Sequence, residues 1–247
     1  MTMQMTTQEI LREITSAPEA EDLTAVLESV STQMGFRYFA LTHHADMARD
    51  GAKVGRIHNY PSQWAAYHDK NSLGISDPVH RASHTSCAGF LWSDMETMIP
   101  LTSKDRRILA LSREYGVGDG FTVPANVPGE LNGSCSFANA ADIPVDEATL
   151  PLAQLVGILA FERARRCWGI RPFEKCPPRL TDRQRDCLLW VGRGKSDWEI
   201  GHILGITEDT VDRHLTNARE RYGAPKRTVL LVRALFDGTL SFSDILL

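Results

Sequence analysis

The chain has 247 residues, of which 43% are apolar and 23% are charged, and its formal net charge is −4. This composition is typical of a globular protein, and the length allows one large domain or two ordinary ones. No apolar run approaches the roughly 18 residues of a membrane span. The N-terminus also lacks the basic and apolar regions of a secretory signal, so we expect no membrane partner.

Five cysteines are scattered along the chain without a CxxC pair, which favours neither a disulfide framework nor a zinc site. We therefore expect a protein of the reducing cytoplasm. Of the 27 basic and 31 acidic residues, 11 and 10 lie in 178–247, which leaves 16 and 21 in the earlier part. An acidic first part joined to a mildly basic second part suggests two separate tasks.

Helix and strand patterns alternate before residue 171. The helical patterns cover 7–15, 21–34, 60–70, 77–84, 103–116 and 145–166, and the strand patterns cover 36–44, 89–94, 120–126 and 131–139. We expect Asp77 to cap a helix with Pro78 in its first turn, Pro61 to lie near the start of another, and Ser103 to cap a third. Strands with helices before and after them predict an α/β/α sandwich.

Prolines 172, 177 and 178 interrupt the pattern, so we predict a linker at 171–179 between a domain of residues 1–170 and one of residues 180–247. Everything after the linker has helical periodicity. Capping boxes are expected at Thr181 with Gln184 and at Ser196 with Glu199, and Thr207 is expected to cap a third helix. A fourth helix is predicted at about 226–237.

Residues 198–222, WEIGHILGITEDTVDRHLTNARERY, contain two helical patterns separated by Gly205. In the second, Val211, Leu215, Ala218 and Tyr222 form one apolar stripe, and the opposite face is polar. Two helices joined by a tight glycine turn are typical of a helix-turn-helix, whose second helix enters the major groove of DNA. The alternative is a plain helical subdomain whose polar face is only solvated.

The residues from Leu180 to Gly238 resemble the DNA-binding domain of the LuxR family. The resemblance rests on Leu180-Thr181, Arg183, Leu188, Trp190, Gly194-Lys195, Trp198-Glu199-Ile200, Leu204, Ile206-Thr207, Thr210-Val211 and His214. It implies a transcriptional regulator that binds a palindromic site on double-stranded DNA as a homodimer and works with RNA polymerase. Gln184 in place of the usual Glu can still close the capping box, whereas Asp209 and Asp212 make the recognition helix unusually acidic.

Candidate DNA contacts follow from this resemblance. We expect Arg and Asn side chains to read base edges and Lys and Arg to neutralise phosphates. The base-reading candidates are Arg213, Thr216, Asn217 and Arg219; the phosphate candidates are Lys195, Lys226 and Arg227; and Thr207 and Thr210 at the start of the recognition helix complete the set.

The first part of the chain resembles the acyl-homoserine-lactone receptor domain, over about residues 20–165. The family pattern has YPxxW, then Asp-Pro thirteen residues after the Trp, then a Trp fifteen residues after the Asp. Trp64, Asp77 and Trp92 have these spacings, and Gly120 and Ser136 fit two further positions. The implied fold class is α+β: an N-terminal α/β/α sandwich with a central antiparallel sheet, then an all-α four-helix helix-turn-helix domain.

The resemblance implies that an N-acyl-homoserine lactone binds inside the sandwich, with no other cofactor. Trp64 would donate to the lactone carbonyl, Asp77 would accept from the amide N–H, and Tyr60 and Ser136 would donate to the amide carbonyl. Trp92 would form a flat wall for the ring. The small strand residues Ala40, Thr42 and Thr122 are candidates for the tail channel.

His68 stands where the family usually has Tyr, with Tyr67 one residue earlier. Either His68 takes that role, or Tyr67 does after a small change in register. A third interpretation keeps the DNA-binding domain but makes the receptor ligand-independent or responsive to a different small molecule.

Plainer interpretations exist for each residue of this set. Asp77 could be only a helix cap, Trp64 and Trp92 ordinary core aromatics, and Ser136 a solvent-facing strand residue. An enzyme is the rival class, because His80 and His84 have the i,i+4 spacing of helical zinc ligands. No HExxH, nucleophile elbow or Ser-His-Asp pattern accompanies them, so we expect neither a metal site nor a catalytic one.

Overall fold

The computed structural model describes residues 5–44, 55–127, 130–169 and 178–246. The chain divides into two compact units, residues 1–127 with 131–171 and residues 128–130 with 172–247. Residues 171–177 of the predicted linker lie outside the described residues, so its bounds of 171–179 stay a prediction. Within the described part, no helix is both long and apolar enough to cross a membrane.

The first unit is built on a five-stranded antiparallel sheet. Its strands are β1 (Tyr38–His43), β2 (Arg56–His58), β3 (Phe90–Leu91), β4 (Gly120–Ala125) and β5 (Gly133–Ala138), in the order β2-β1-β5-β4-β3. In the central pairings, Ser136 lies opposite Ala40 of β1 and Thr122 of β4. This register brings small side chains from three strands to one place.

Helices cover both faces of the sheet. On one face lie α1 (Thr7–Ser16), α2 (Ala20–Gln33) and α8 (Leu150–Cys167). On the other lie α3 (Ser62–Lys70), α4 (Leu73–Ser76), α5 (Pro78–Ser83), α6 (Met95–Met98) and α7 (Ser103–Glu114). The expected α/β/α sandwich with a central antiparallel sheet is confirmed.

The two-residue period of the strands gives the sheet two different faces. One set of alternate residues forms the main core with α1, α2 and α8: Phe39, Leu41, Phe121, Val123, Cys135 and Phe137. The intervening residues on the other face are small or polar: Ala40, Thr42, Thr122, Ser134 and Ser136. The second face therefore leaves space beneath α3 to α5.

Several local details differ from the sequence prediction. Thr102, not Ser103, caps α7, because its side chain accepts from the Asp105 N–H and Asp105 closes a capping box. Pro61 is the N-cap of α3 rather than its first residue. The strand predicted at 89–94 is only β3, followed by one turn of 3-10 helix from Trp92 to Asp94.

The second unit contains α9 (Asp182–Gly192), α10 (Asp197–Leu204), α11 (Glu208–Tyr222), α12 (Arg227–Phe236) and α13 (Phe242–Leu246). The first four are the predicted helices, and α13 is a short addition after them. Both expected capping boxes form. Gly205 has φ 68°, in the left-handed region that favours glycine, so the chain turns sharply between α10 and α11.

Candidate ligand-binding and DNA-binding sites

A cavity lies in the first unit between the second face of the sheet and helices α3, α5 and α7. It contains about 690 Å³ of space free of protein atoms, part of which is open solvent. Its wall includes most of the residues predicted to bind ligand: Tyr60, Trp64, His68, Asp77, Trp92 and Ser136, together with Ala40 and Thr42. The structure thus brings together residues separated by up to 96 positions.

Thr122 is not part of the cavity wall. It is fully buried, and its hydroxyl accepts from the Trp92 indole N–H at 2.8 Å and lies 2.8 Å from the Ser136 hydroxyl. Trp92 can approach the strand because Gly120 has no side chain: a Cβ there would lie 2.9 Å from the indole. Thr122 therefore positions two wall residues instead of lining the tail channel.

Asp77 is both a helix cap and a cavity residue. Its Oδ1 accepts from the Val79 N–H at 2.8 Å, whereas its Oδ2 lies 3.4 Å from His68 Nε2. Burial alone raises the pKa of this carboxyl, but the His80 and His68 side chains and the Val79 N–H more than offset that effect, and the pKa falls to about 2. Asp77 is therefore an ionised acceptor, with one oxygen in the cap and one left for other partners.

Tyr60 and Trp64 supply donors to the cavity. Trp64 is almost fully buried and packs against the rings of Tyr67 and Tyr115. Within the described ranges, neither the Trp64 indole N–H nor the Tyr60 hydroxyl has a hydrogen-bond partner in the protein. Burial, and then the nearby Asp77 charge, raise the pKa of Tyr60, so its phenol stays protonated and can donate.

The structure distinguishes His68 from Tyr67. The His68 ring lines the cavity beside Asp77, whereas the Tyr67 ring stacks on Trp64 at a centroid distance of 6.0 Å and contacts Tyr115. Of the two candidates, His68 is therefore the one that lines the cavity.

A cluster of histidines near the cavity was not foreseen from the sequence. His44, at the end of β1, stacks on His80 with ring centroids 4.0 Å apart, and its Nδ1 lies 2.8 Å from His84 Nε2. Its Nε2 lies 2.8 Å from the Ser134 hydroxyl. Burial lowers the pKa of His44, His80 and His84, so these rings are neutral at ordinary pH. The available signal was the even spacing of residues 40, 42 and 44 along one strand, with the His80–His84 pair on a helix.

The second unit presents the predicted recognition helix, α11. The apolar stripe of Val211, Leu215, Ala218 and Tyr222 is buried in the core of the unit. Arg213 and Asn217 are exposed, and Thr216 is half-buried. Arg219 is also half-buried, and its Nε is enclosed without a partner among the described residues, so it presents less of its guanidinium than Arg213 does.

The other DNA-contact candidates differ in their present partners. Lys195 Nζ lies 3.0 Å from a Glu199 carboxylate oxygen. Arg227 donates to both oxygens of Asp197 at 2.7 Å. Thr207 caps α11, and its hydroxyl lies 2.8 Å from that of Thr210. Lys226, the N-cap of α12, is exposed.

A cavity in one unit and a helix-turn-helix in the other are the features expected of a ligand-responsive transcriptional regulator. Comparison with known families agrees: residues 19–164 match the autoinducer binding domain, and residues 178–234 match the bacterial regulatory proteins of the luxR family. The chain therefore belongs to the LuxR-type, autoinducer-binding transcriptional regulators, a family of DNA-binding proteins and not of enzymes.

Its similarity to individual relatives extends over nearly the whole chain. It is 28% identical to the putative HTH-type transcriptional regulator y4qH of Sinorhizobium fredii, over 90% of this chain and 69% of that protein. It is 25% identical to the transcriptional activator LuxR of Aliivibrio fischeri, over 95% and 94%. The crystal structure of Escherichia coli SdiA has the same fold, with a TM-score of 0.60 and 24% identity over 94% of this chain and 96% of that one.

Proposed function

We propose that the autoinducer of this protein is an N-acyl-homoserine lactone, bound in the cavity of the first unit. The observation that carries the proposal is Asp77: an ionised, buried carboxylate whose Oδ2 faces a cavity also lined by Trp64 and Tyr60. A lactone of this class offers one amide N–H, two carbonyls and an apolar tail. The cavity supplies an ionised acceptor in Asp77 and donors in Trp64 and Tyr60, which match those groups.

Each polar group of such a ligand finds a partner of the right kind. Asp77 Oδ2 accepts from the amide N–H, the Trp64 indole donates to the lactone carbonyl, and Tyr60 donates to the amide carbonyl. Ser136 can join Tyr60: since Trp92 donates to Thr122, the Thr122 hydroxyl is able to donate onward to Ser136, which frees the Ser136 proton for the ligand. These pairings matter because a buried polar group left unpaired costs about 1–3 kcal/mol.

The second part of the proposal concerns DNA. We infer that two copies bind a palindromic site, because one recognition helix reads only a half-site. Exposed apolar side chains support a dimer: Leu155 and Ile158 on α8, and Val232 and Phe236 on α12. Arg213 and Asn217 would read bases while Lys226 contacts phosphate. RNA polymerase as a partner and the cytoplasm as the location complete the proposal, with domains at 1–170 and 180–247.

A second candidate keeps the regulator but changes its ligand. The cavity wall carries His68 and the neighbouring histidine cluster, which are polar for an acyl channel. These polar side chains would suit a ligand other than a lactone, or a regulator that binds no ligand at all. The SdiA structure in complex with octanoyl-rac-glycerol gives an acyl glycerol as one compound to test.

A thermal-shift panel separates these candidates. It would compare lactones with short, long, branched and aryl acyl groups against their ring-opened homoserines and octanoyl glycerol. Because ligand binds only the folded state, it stabilises that state by about 2.7 kcal/mol at 100 times Kd, which raises Tm by several degrees. We expect at least one lactone to do so; a shift only with acyl glycerol, or with nothing, would reject the lactone.

Gel shifts test the DNA-binding part of the proposal. Gel shifts on the palindromes upstream of the protein's own gene should give a dimer complex that survives competitor DNA. Binding that is equally tight on scrambled sequences and disappears with salt would contradict it, because such binding is electrostatic only.

A further inference from the structure

Three potential metal ligands meet on one wall of the cavity. Ligand atoms of His68, Asp77 and His80 all lie within 4.8 Å of one another. Asp77 and His80 are three residues apart at the start of α5, so their side chains share one face of the chain there. His68 comes from the end of α3. The end of α3 and the start of α5 thus bring two imidazoles and one carboxylate close together.

His80 and Asp77 are each held by a hydrogen bond on the side away from the cluster. His80 Nδ1 lies 2.8 Å from the carbonyl oxygen of Gly74, which can only accept. The proton of the neutral ring is therefore on Nδ1, and Nε2 carries a lone pair. Among the described residues no side chain or backbone group hydrogen-bonds to that Nε2.

Asp77 is oriented in a similar way, and His68 lies between two carboxylates. The Val79 N–H holds Asp77 Oδ1, which leaves Oδ2 toward the cluster. His68 Nδ1 lies 4.0 Å from the Asp69 carboxylate, and its Nε2 is 3.4 Å from Asp77 Oδ2. Histidines that bind metals usually donate their other N–H to a backbone carbonyl or a carboxylate, which fixes the tautomer and aims the ring.

The donor set selects the class of ion. Imidazole nitrogens with one carboxylate suit Zn²⁺, Fe²⁺, Co²⁺ or Ni²⁺, whereas Mg²⁺ and Ca²⁺ prefer oxygen ligands alone. Ligand bonds of about 2.0–2.1 Å in a tetrahedral zinc site place neighbouring ligand atoms about 3.3 Å apart. The 3.4 Å between His68 Nε2 and Asp77 Oδ2 is close to that separation, and all three ligand atoms lie within 4.8 Å of one another.

We propose that His68, Asp77 and His80 bind one divalent transition-metal ion of the Zn²⁺ class, with a fourth coordination position facing the cavity. The site does not require the autoinducer to be a lactone. One consequence does rest on that proposed function: the ion and the lactone amide N–H need the same Asp77 oxygen, so the ion should weaken lactone binding.

The test titrates Co²⁺ into the full chain after the purification tag and trace metals have been removed. Visible absorption reports tetrahedral Co²⁺, and Zn²⁺ should displace it. We expect one equivalent to bind. His80→Gln and Asp77→Asn should each weaken binding at least tenfold; the amide oxygen in Asp77→Asn could still accept from the Val79 N–H, so the start of α5 is preserved.

His84→Gln is the matched control, because it removes an imidazole one turn along from His80 and outside the group. It should keep the affinity of the wild type. No binding by the wild type, or equal losses in His84→Gln and His80→Gln, would overturn the proposal. His68 Nε2–H would then simply donate to Asp77.

A lactone thermal-shift measurement with and without Zn²⁺ tests the competition. A smaller shift with Zn²⁺ in the wild type, restored in His80→Gln, supports it; an unchanged shift rejects it. The Co²⁺ titration reads the metal site even if no lactone binds, so failure of the proposed function and failure of the metal site give different results.

Discussion

The two faces of the central sheet differ although the same strands form both. One face is filled by Phe39, Phe137 and their neighbours, which pack without space against α1, α2 and α8. The other presents Ala40, Thr42 and Ser136 to a cavity. A step of one residue along a strand moves a side chain from the packed core to the cavity wall. The core and the cavity are therefore separated by the thickness of one sheet.

The largest expected effect lies on the filled face. Phe137→Ala removes a fully buried ring and should lower the free energy of unfolding by about 3–5 kcal/mol. Urea denaturation with and without ligand measures it, and ligand should stabilise the variant by no more than it stabilises the wild type. Ser136→Ala, one residue earlier on the cavity face, is the control. If it costs as much as Phe137→Ala, the two faces do not differ in the way described.

On the cavity face, Asp77→Asn should abolish ligand stabilisation, a loss of about 2.7 kcal/mol at 100 times the wild-type Kd. Asn can keep the helix cap through its oxygen, but it then presents an N–H₂ to the ligand amide N–H. Thermal shift against ligand concentration measures the effect. Glu96→Gln removes an exposed carboxylate that pairs with Arg106, and neither residue lines the cavity, so it should respond like the wild type. A normal shift in Asp77→Asn would reject the proposed amide contact.

The recognition helix α11 also has a buried face and an exposed face. Arg213→Ala and Asn217→Ala, on the outside, should each cost about 1–3 kcal/mol of DNA binding and relax the preference at one base pair. Competition gel shifts with single-base operator variants measure this. Lys226→Ala should instead weaken all sequences alike and reduce the salt dependence. Equal weakening on every sequence by Arg213→Ala would show a phosphate contact in place of base reading.

The smallest effect is expected from Trp64→Phe. Loss of one indole donor should reduce ligand stabilisation by about 1 kcal/mol, near a fivefold rise in Kd. The ligand-dependent part of the thermal shift is the quantity to compare, because the smaller ring also alters the packing around Tyr67 and Tyr115. Trp198→Phe changes an exposed ring in the other unit and should leave ligand binding unaltered. A full wild-type shift in Trp64→Phe would remove Trp64 from the lactone contact.

Local sequence patterns predicted much of the fold. The capping boxes at Thr181 and Ser196, the turn at Gly205 and the buried stripe from Val211 to Tyr222 form as predicted, because each depends on residues within a few positions. The cap at Thr102 instead of Ser103 shows the usual error of one residue at helix ends. The spacing of Trp64, Asp77 and Trp92 indicated which residues would share a site, through resemblance to a family and not through geometry.

The sequence by itself determined the longer helices, the strands β1, β4 and β5, the helix-turn-helix and the family, since these follow from periods of two and 3.6 residues and from short motifs. Only the tertiary structure decided what the cavity wall is made of. It placed Thr122 behind Trp92, residues 30 positions apart, and His44 against His84, residues 40 positions apart. It also places the His68 ring, and not the Tyr67 ring, at the cavity wall. Such contacts depend on strand register and on the volume that small side chains leave empty, which residues far apart in the chain determine together.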